Sequence, residues 1–283
     1  MYRFLRRPRW ILFTLLTVTL MVVMVNLGIW QLNRLQERRS SNREITSRTT
    51  LATIDVAELF PAGAPVETGP LQWRPVEATG TYDIAHEVAI NDRSLDGVAG
   101  LHVVTPLVLA DGRALLVNRG WIPVPPKVGE APQIPPPASG TVTITGRVRP
   151  SQKRGWLGPK DKPTGTLPRL ARVDIPRIAA QTPEALLPVY AEEIRSDDGA
   201  IPRPIPLPEL DDGPHLSYAG QWFLFTICAA GGWYALVRRK AKQTRQEARR
   251  LELSAAAPPA GDADRPGPDA VASTTETPGT TRS

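Results

Sequence analysis

The residues best placed for chemistry lie near the end of the chain, at the start of an apolar run. His215, Tyr218 and Trp222 are spaced three and four residues apart, so in a helix they share one face, with Gln221 beside them. A neutral imidazole can ligate a porphyrin iron, and aromatic side chains give a porphyrin flat apolar walls. The same pattern is also typical of an aromatic belt at a membrane surface that happens to contain a histidine. Both interpretations stay open on spacing alone.

The first apolar run of the chain ends with an aromatic residue, an amide and a cation: Trp30, Gln31 and Arg34. If the two runs pack as an antiparallel pair, these side chains reach the level of His215, and Gly28 permits the close approach. The pair then predicts a shallow cleft with His215 as iron ligand. Arg34, or Arg38 or Arg39 beyond it, could pair with the two carboxylates of a porphyrin, and contact with lipid headgroups is an equally good role.

The elements that must position these side chains are two apolar stretches, residues 10–30 and 216–237. Each has about 20 residues, which at ~1.5 Å per residue covers a hydrocarbon core of ~30 Å. We therefore expect two transmembrane helices around one folded region. The first stretch exceeds the apolar core of a signal peptide, and no small-residue cleavage pattern follows it, so we expect a retained anchor.

Charged residues around the second stretch predict the topology. Acidic side chains precede it at 209–212, and a run of Lys and Arg follows it at 238–250. Basic flanks stay in the cytoplasm, so residues 238–283 are expected inside the cell. Two crossings put residues 1–9 there as well, and residues 31–215 on the outer face. Because the apolar run begins too early for a mitochondrial transit peptide to precede it, we expect a bacterial plasma membrane.

The outer region has a helical start and a β-rich body. Residues 31–48 are charged and free of Gly and Pro, which favours a helical stalk, whereas residues 70–195 form short Val-, Thr- and Ile-rich runs bounded by Gly and Pro. Strands at 103–109 and 113–118 flank an Asp-Gly turn and predict a hairpin. The interpretation is a membrane α+β protein: two transmembrane helices flank an extracytoplasmic antiparallel β barrel or sandwich with a few short helices.

Three smaller segments complete this organisation. Residues 141–148 alternate like a further strand, and Asp174 is the expected N-cap of a short helix. Proline, with 30 residues in the chain, is concentrated at 123–137 and 201–214, which we expect to be extended connectors. Residues 254–283 lack periodicity and predict a disordered cytoplasmic tail.

Composition excludes several classes of site. Cys228 is the only cysteine and lies inside the second apolar stretch, so the outer region is expected to have no disulfide and no thiolate ligand. The net charge of +6 comes largely from arginines beside the apolar stretches, which favours membrane lipid over nucleic acid as a partner. An outer-face hydrolase that uses His86 or His102 stays open, although a catalytic triad is a spatial arrangement that sequence neighbours do not establish.

Six short blocks stand in order along the chain, at residues 28–35, 80–82, 105–107, 118–123, 146–149 and 215–223. Together they resemble the Surfeit-locus-one family of cytochrome c oxidase assembly factors. The resemblance implies a protein without catalytic residues that helps to install haem a in the large subunit of a haem–copper oxidase. It also implies that His215 contacts the haem. In the family an asparagine commonly precedes this histidine, whereas Pro214 precedes it here.

The partners implied by the resemblance are subunit I of the oxidase and, as a further candidate, the haem a synthase. Arg119 and Trp121 are the predicted partner contacts, with a barrel-core tryptophan as the alternative role of Trp121. The alternative function is a haem-independent membrane scaffold for nascent oxidase subunits.

Overall fold

The computed structural model describes residues 2–125, 132–196 and 199–255. It divides into two compact units, one of residues 1–31 with 217–283 and one of residues 32–216. The predicted disordered tail therefore lies, from residue 256 on, outside the described residues.

The first unit pairs the beginning of helix α1 (Pro8–Thr49) with helix α4 (His215–Ala255). Thr14 accepts a hydrogen bond from the indole of Trp233 at 3.2 Å. Further along α1, Gly28 lies against the ring of Phe223, where a Cβ atom at residue 28 would stand 2.7 Å from Cε1. Thr14 contacts the later residue of α4, Trp233, and Gly28 contacts the earlier one, Phe223. The two helices are therefore antiparallel within this unit.

One helix among the described residues, Pro8–Thr49, is long and apolar enough to cross a membrane. Only 11% of the most apolar part of this helix is buried inside the protein. This exposure fits a membrane protein, because so much apolar surface is unfavourable in water. The helix continues through the predicted stalk to Thr49 without a break. The predicted second span lies within α4, and its crossing of a membrane stays a prediction.

The second unit is built on one sheet with two short helices. Its strands are β1 (Ile54–Asp55), β2 (Pro75–Tyr82), β3 (Val88–Leu95), β4 (Val98–Leu109), β5 (Ala114–Pro123), β6 (Thr141–Pro150), β7 (Arg169–Leu170) and β8 (Leu186–Glu193). The helices are α2 (Val56–Leu59) and α3 (Ile175–Ala179), and single 3₁₀ turns stand at Gly69–Leu71 and Ile84–His86. A further 3₁₀ turn, Arg3–Arg6, belongs to the first unit.

Five of these strands close into a barrel in the order β2–β6–β8–β5–β4–β2. All neighbours in the ring are antiparallel except β5 and β8, which are parallel. Numbered along the chain, the ring strands close as 1-2-3-5-4-1, the connectivity of the Greek-key barrels called OB-folds. Strands β3 and β7 extend the sheet beyond β4, and β1 pairs with β2. The predicted barrel is confirmed, with one parallel pair that the sequence pattern did not predict.

Alternating side chains fill the barrel. In β2, Val76 and Ala78 are fully buried while Glu77 and Thr79 are exposed, as period-two patterning requires. A second apolar cluster forms outside the ring, where α3 contributes Ile175 and Ile178.

The predicted hairpin and short helix are both confirmed. Strands β4 and β5 pair antiparallel around a turn in which Gly112 has a φ of 82°. Asp174 caps α3 by accepting a hydrogen bond from the backbone N–H of Arg177 at 3.2 Å.

Candidate functional site

The candidate site begins at an irregularity in strand β5. Val103 pairs with Gly120 and Val104 pairs with Asn118, so Arg119 is an extra residue with no counterpart on β4. Such a β-bulge changes the direction in which a side chain points. The bulge thereby sets the direction of the Arg119 side chain.

The guanidinium of Arg119 is buried in a network of polar contacts. Its Nη1 donates to Oε2 of Glu87 at 2.9 Å, and its Nη2 donates to the carbonyl of Pro135 at 2.8 Å. The same Oε2 accepts a 2.6 Å hydrogen bond from the hydroxyl of Thr105. The side chains of Arg119 and Glu87 are only 5% and 10% exposed, so this ion pair is shielded from water.

Arg119 also lines an open cleft of about 430 Å³. Its guanidinium carbon stands 5.7 Å from the ring centroid of Tyr82, a cation–π distance. Glu193 and Arg195 form an ion pair at 3.0 Å on the same cleft. Burial raises the pKa of both Tyr82 and Glu193, and the nearby arginines oppose this rise. The cleft therefore offers a phenol, two cations and a carboxylate to a polar partner.

Gly120 and Trp121, which follow Arg119, fasten the proline-rich connector to the barrel. Gly120 has a φ of 130°, and a Cβ atom there would stand 2.2 Å from the backbone oxygen of Arg203. Trp121 and Arg203 exchange two backbone hydrogen bonds of 2.7 Å. The indole of Trp121 packs over Gly100 and is only 6% exposed. The structure thus shows the buried alternative for Trp121, and a partner contact through this side chain stays a prediction.

Beyond Arg203, the connector is held by further arginines. Arg147 donates to the carbonyl of Ile205 at 2.6 Å. On α1, Arg38 pairs with Asp211 at 3.0 Å and Arg39 pairs with Asp212 at 2.7 Å, and both pairs are about half exposed. The hydrogen bond from Arg39 lowers the pKa of Asp212. The sequence analysis used Asp211 and Asp212 only to predict the topology. Their charge, opposite to that of the stalk arginines, was the signal that could have predicted these ion pairs.

His215, the predicted iron ligand, begins α4 three residues after Asp212. Its ring lies over Gly213, where a Cβ atom would stand 3.4 Å from Nε2, and the residue is half-buried. Gly213 has a φ of 64°, so the turn before the helix favours glycine. Arg34 lies in the same unit, more than half exposed, and pairs with Glu37 at 2.9 Å.

The other predicted haem contacts belong to the helical unit. Trp30 and Tyr218 are 57% and 49% exposed, Gln221 is exposed, and Trp222 packs edge-on against Phe225. Gln31 ends the α1 part of this unit. The predicted cleft joins residues of both units, so it stays a prediction.

The residues of the hydrolase alternative have other partners. His86 pairs through Nδ1 with Asp83, and Glu184 lies within 4.8 Å of both. His102 Nδ1 accepts a 3.2 Å hydrogen bond from the amide of Asn118. Burial, and to a lesser degree Arg93, lowers the pKa of His102 to about 4. Among the described residues no hydrogen bond joins either histidine to a serine.

Glu87, Thr105 and Tyr82 are the site residues that sequence reasoning missed. Thr105 and Tyr82 stand in the short blocks at 105–107 and 80–82, which was the available signal. Glu87 had none, because a carboxylate in a β-rich segment is ordinarily a solvent-facing residue.

The fold and site define a class of protein: a closed β barrel with a polar cleft, attached to an apolar N-terminal helix. Sequence comparison is more specific, since the profile of the SURF1 family matches residues 18–227. The chain belongs to the SURF1 family, which is known generally for cytochrome oxidase assembly factors.

Relatives in this family extend from bacteria to mammals. A SURF1-like protein of Mycobacterium tuberculosis is 31% identical over 265 residues, which cover 90% of this chain and 92% of the relative. Surfeit locus protein 1 of Mus musculus is 32% identical over 156 residues, or 48% of each chain. Surfeit locus protein 1 of Homo sapiens is 31% identical over 162 residues, covering 50% of this chain and 51% of the human protein.

Proposed function

We propose that this protein is an assembly factor for a haem–copper (cytochrome c) oxidase, and that it holds or delivers haem a to the large catalytic subunit at the outer membrane boundary. Family membership over residues 18–227 is the observation that carries the proposal. Its expected partners are oxidase subunit I and the haem a synthase. No reaction is catalysed in this proposal, since haem is captured and released unchanged.

The topology belongs to the proposal too. Helices α1 and α4 both cross the bacterial plasma membrane, with both termini in the cytoplasm and the barrel on the outer face. Exposed apolar side chains on α4 support a second crossing: Leu224, Phe225 and Ile227 are 55%, 44% and 68% exposed. Apolar side chains this exposed are stable in lipid rather than in water.

The donor set around His215 fits an amphipathic haem. An imidazole is a common haem ligand, and Tyr218 and Trp222 follow it at helical spacing on the same helix. Arg38 and Arg39 are paired with carboxylates, but these pairs are exposed, and exposed pairs contribute little to stability. Haem propionates can therefore replace the aspartates at little energetic cost.

In this mechanism the protein binds haem and docks the partner that receives it. In this proposal His215 would hold the haem iron, and the isoprenoid tail of haem a would stay in the bilayer. The cleft at Arg119 and Tyr82 serves as a docking surface for a polar segment of the partner, because its charged groups are already fixed in place. Preorganised charges lose little entropy on binding.

The test is the visible spectrum of the detergent-purified protein after coexpression with haem a synthesis. We expect a Soret band in the wild type that is lost or shifted in a folded His215→Ala variant. His86→Ala is the matched control, since His86 is a half-buried histidine on the barrel, and it should retain the band. No band in any of the three proteins would contradict haem binding.

The second candidate function is the haem-independent scaffold for oxidase subunits. It is favoured by the hydrogen bonds and ion pairs that hold the connector and the cleft in place, because these contacts need no ligand. On this alternative, His215→Ala complements a deletion strain fully, whereas disruption of the cleft abolishes oxidase activity. Haem delivery predicts that His215→Ala fails to complement although the protein is folded and present at the wild-type level.

A further inference from the structure

The loop between β6 and β7 presents two large apolar side chains to solvent. Trp156 is 91% exposed and Leu157 is 86% exposed. Adjacent apolar residues with this exposure stand out on the barrel unit, whose other large side chains are mostly buried in its core. An exposed tryptophan beside a leucine marks a surface that meets another apolar phase.

The loop is nevertheless well anchored at its base. Arg177 of α3, which is 9% exposed, donates to the carbonyls of Lys162 and Gly165 at 2.7 Å each. Arg172 donates to the carbonyl of Pro159, and the side chain of Gln152 accepts from the backbone of Val173 at 3.1 Å. The exposed pair therefore projects from a fixed base.

The tip itself is a closed turn. The backbone N–H of Gly158 donates to the carbonyl of Gly155 at 3.1 Å. Arg154 closes the turn from outside, because its Nε donates to the carbonyl of Gly158 at 2.8 Å. This turn holds Trp156 and Leu157 together at the outermost point of the loop.

The surface around the tip is basic. Its exposed cations are Lys153, Arg154, Lys160 and Lys162. The single carboxylate between residues 151 and 173 belongs to Asp161, which is 16% exposed and accepts a hydrogen bond from the backbone N–H of Ala171 at 3.0 Å. Since this carboxylate is turned inward, the outer face of the loop presents positive charge alone.

We propose that this loop tip, residues 153–162, docks on the surface of an anionic phospholipid bilayer. Tryptophan and leucine are favoured at the boundary between headgroups and acyl chains, and lysines attract anionic headgroups from the same depth. An interface with a protein partner would favour an apolar centre with fewer lysines, because Lys is depleted in such interfaces. The apolar α1 helix keeps this chain at a membrane, so the tip meets lipid at a high effective concentration.

The experiment uses the full chain in nanodiscs and reads the depth of a probe at the tip. Leu157→Cys is labelled with an environment-sensitive fluorophore in a Cys228→Ser background, which leaves one reactive thiol. Nitroxide-bearing lipids then quench the probe, in discs of phosphatidylcholine with or without phosphatidylglycerol. Val98→Cys is the matched control, because Val98 is an exposed apolar residue at the turn between β3 and β4.

We expect strong quenching at residue 157, only in anionic discs, and weak quenching at residue 98. Replacing Lys153, Lys160 and Lys162 by Gln should lower the ratio of docked to free tip about 100-fold, since each cation near an anionic surface contributes a factor of ~5. The same three positions changed to Arg should keep the quenching. Within the described part of the chain these lysines make no side-chain hydrogen bond, so the variants should fold.

Two results would overturn the proposal. One is equal quenching at residues 157 and 98 in anionic discs. The other is protection of the probe at residue 157 by purified oxidase subunit I in neutral discs, with no lipid quenching, which would assign the tip to a protein partner.

Discussion

The buried ion pair between Arg119 and Glu87 makes a quantitative prediction about this barrel. Removing one member leaves the other charge buried without its counter-ion, which destabilises proteins by roughly 3–5 kcal/mol. Arg119→Met leaves the Glu87 carboxylate with the hydroxyl of Thr105 as its one side-chain donor among the described residues. Glu87→Met leaves the Arg119 guanidinium with the carbonyl of Pro135.

The double variant is the informative comparison. Two methionines have about the volume of the original pair, and apolar replacement of a whole buried pair is often close to neutral in stability. We therefore expect the free energy of unfolding to fall by roughly 3–5 kcal/mol in each single variant and by roughly 1–2 kcal/mol in the double variant. The coupling energy of the cycle should be about 4 kcal/mol or more.

The assay is urea unfolding of the full chain in mild detergent, followed by tryptophan fluorescence. Trp73 and Trp121 are both buried in the barrel unit and report its unfolding. Equal slopes against urea would show that the variants unfold from the same native state. Additive losses, or single variants within about 1 kcal/mol of the wild type, would refute the reasoning from burial.

Three further predictions concern close contacts and a buried histidine. Gly28→Leu should split the helix pair, seen as a lower melting temperature in detergent, and Phe223→Ala should restore it by making room at the 2.7 Å contact. Gly120→Ala should lower the urea midpoint of the barrel, because its φ of 130° and the backbone oxygen of Arg203 at 2.2 Å both oppose a Cβ atom; a midpoint equal to that of the wild type would contradict this. Burial lowers the pKa of His102 from 6.5 to about 4, so the unfolded state binds its proton first as pH falls. The free energy of unfolding of the barrel should fall by up to about 3 kcal/mol between pH 6.5 and 4, and this group should cause no further loss below that range. His102→Gln should flatten the dependence of the unfolding free energy on pH.

The hairpin of β4 and β5 could be predicted because its signals are local. The Asp-Gly turn needs only its own backbone conformation, and the alternating residues on either side need only one buried face. Asp174 before α3 is equally local, since an N-cap bonds within its own turn. In these segments sequence neighbours are also spatial neighbours.

The buried site could not be predicted because its contacts join distant parts of the chain. Glu87 and Arg119 are 32 residues apart in the sequence, and Arg119 reaches Glu87 from the bulge in β5. Bulge position depends on register, which one sequence does not reveal. Trp121 shows the same limit, because its indole is covered by Gly100 of the neighbouring strand β4.

The connector from the barrel to α4 is held firmly at one end and weakly at the other. At Arg203 it is fastened by two backbone hydrogen bonds, and at Ile205 by a mostly buried arginine. At residues 211–212 the described contacts with α1 are all exposed: the ion pairs of Arg38 and Arg39, which weaken with salt, and hydrogen bonds from Asn42 and Arg38 to the carbonyl of Asp211. The segment just before His215 can therefore detach from α1 while the barrel and the first half of the connector stay in place. In the proposed haem delivery, this division would let the segment beside His215 move when haem is released, while the barrel stays in place.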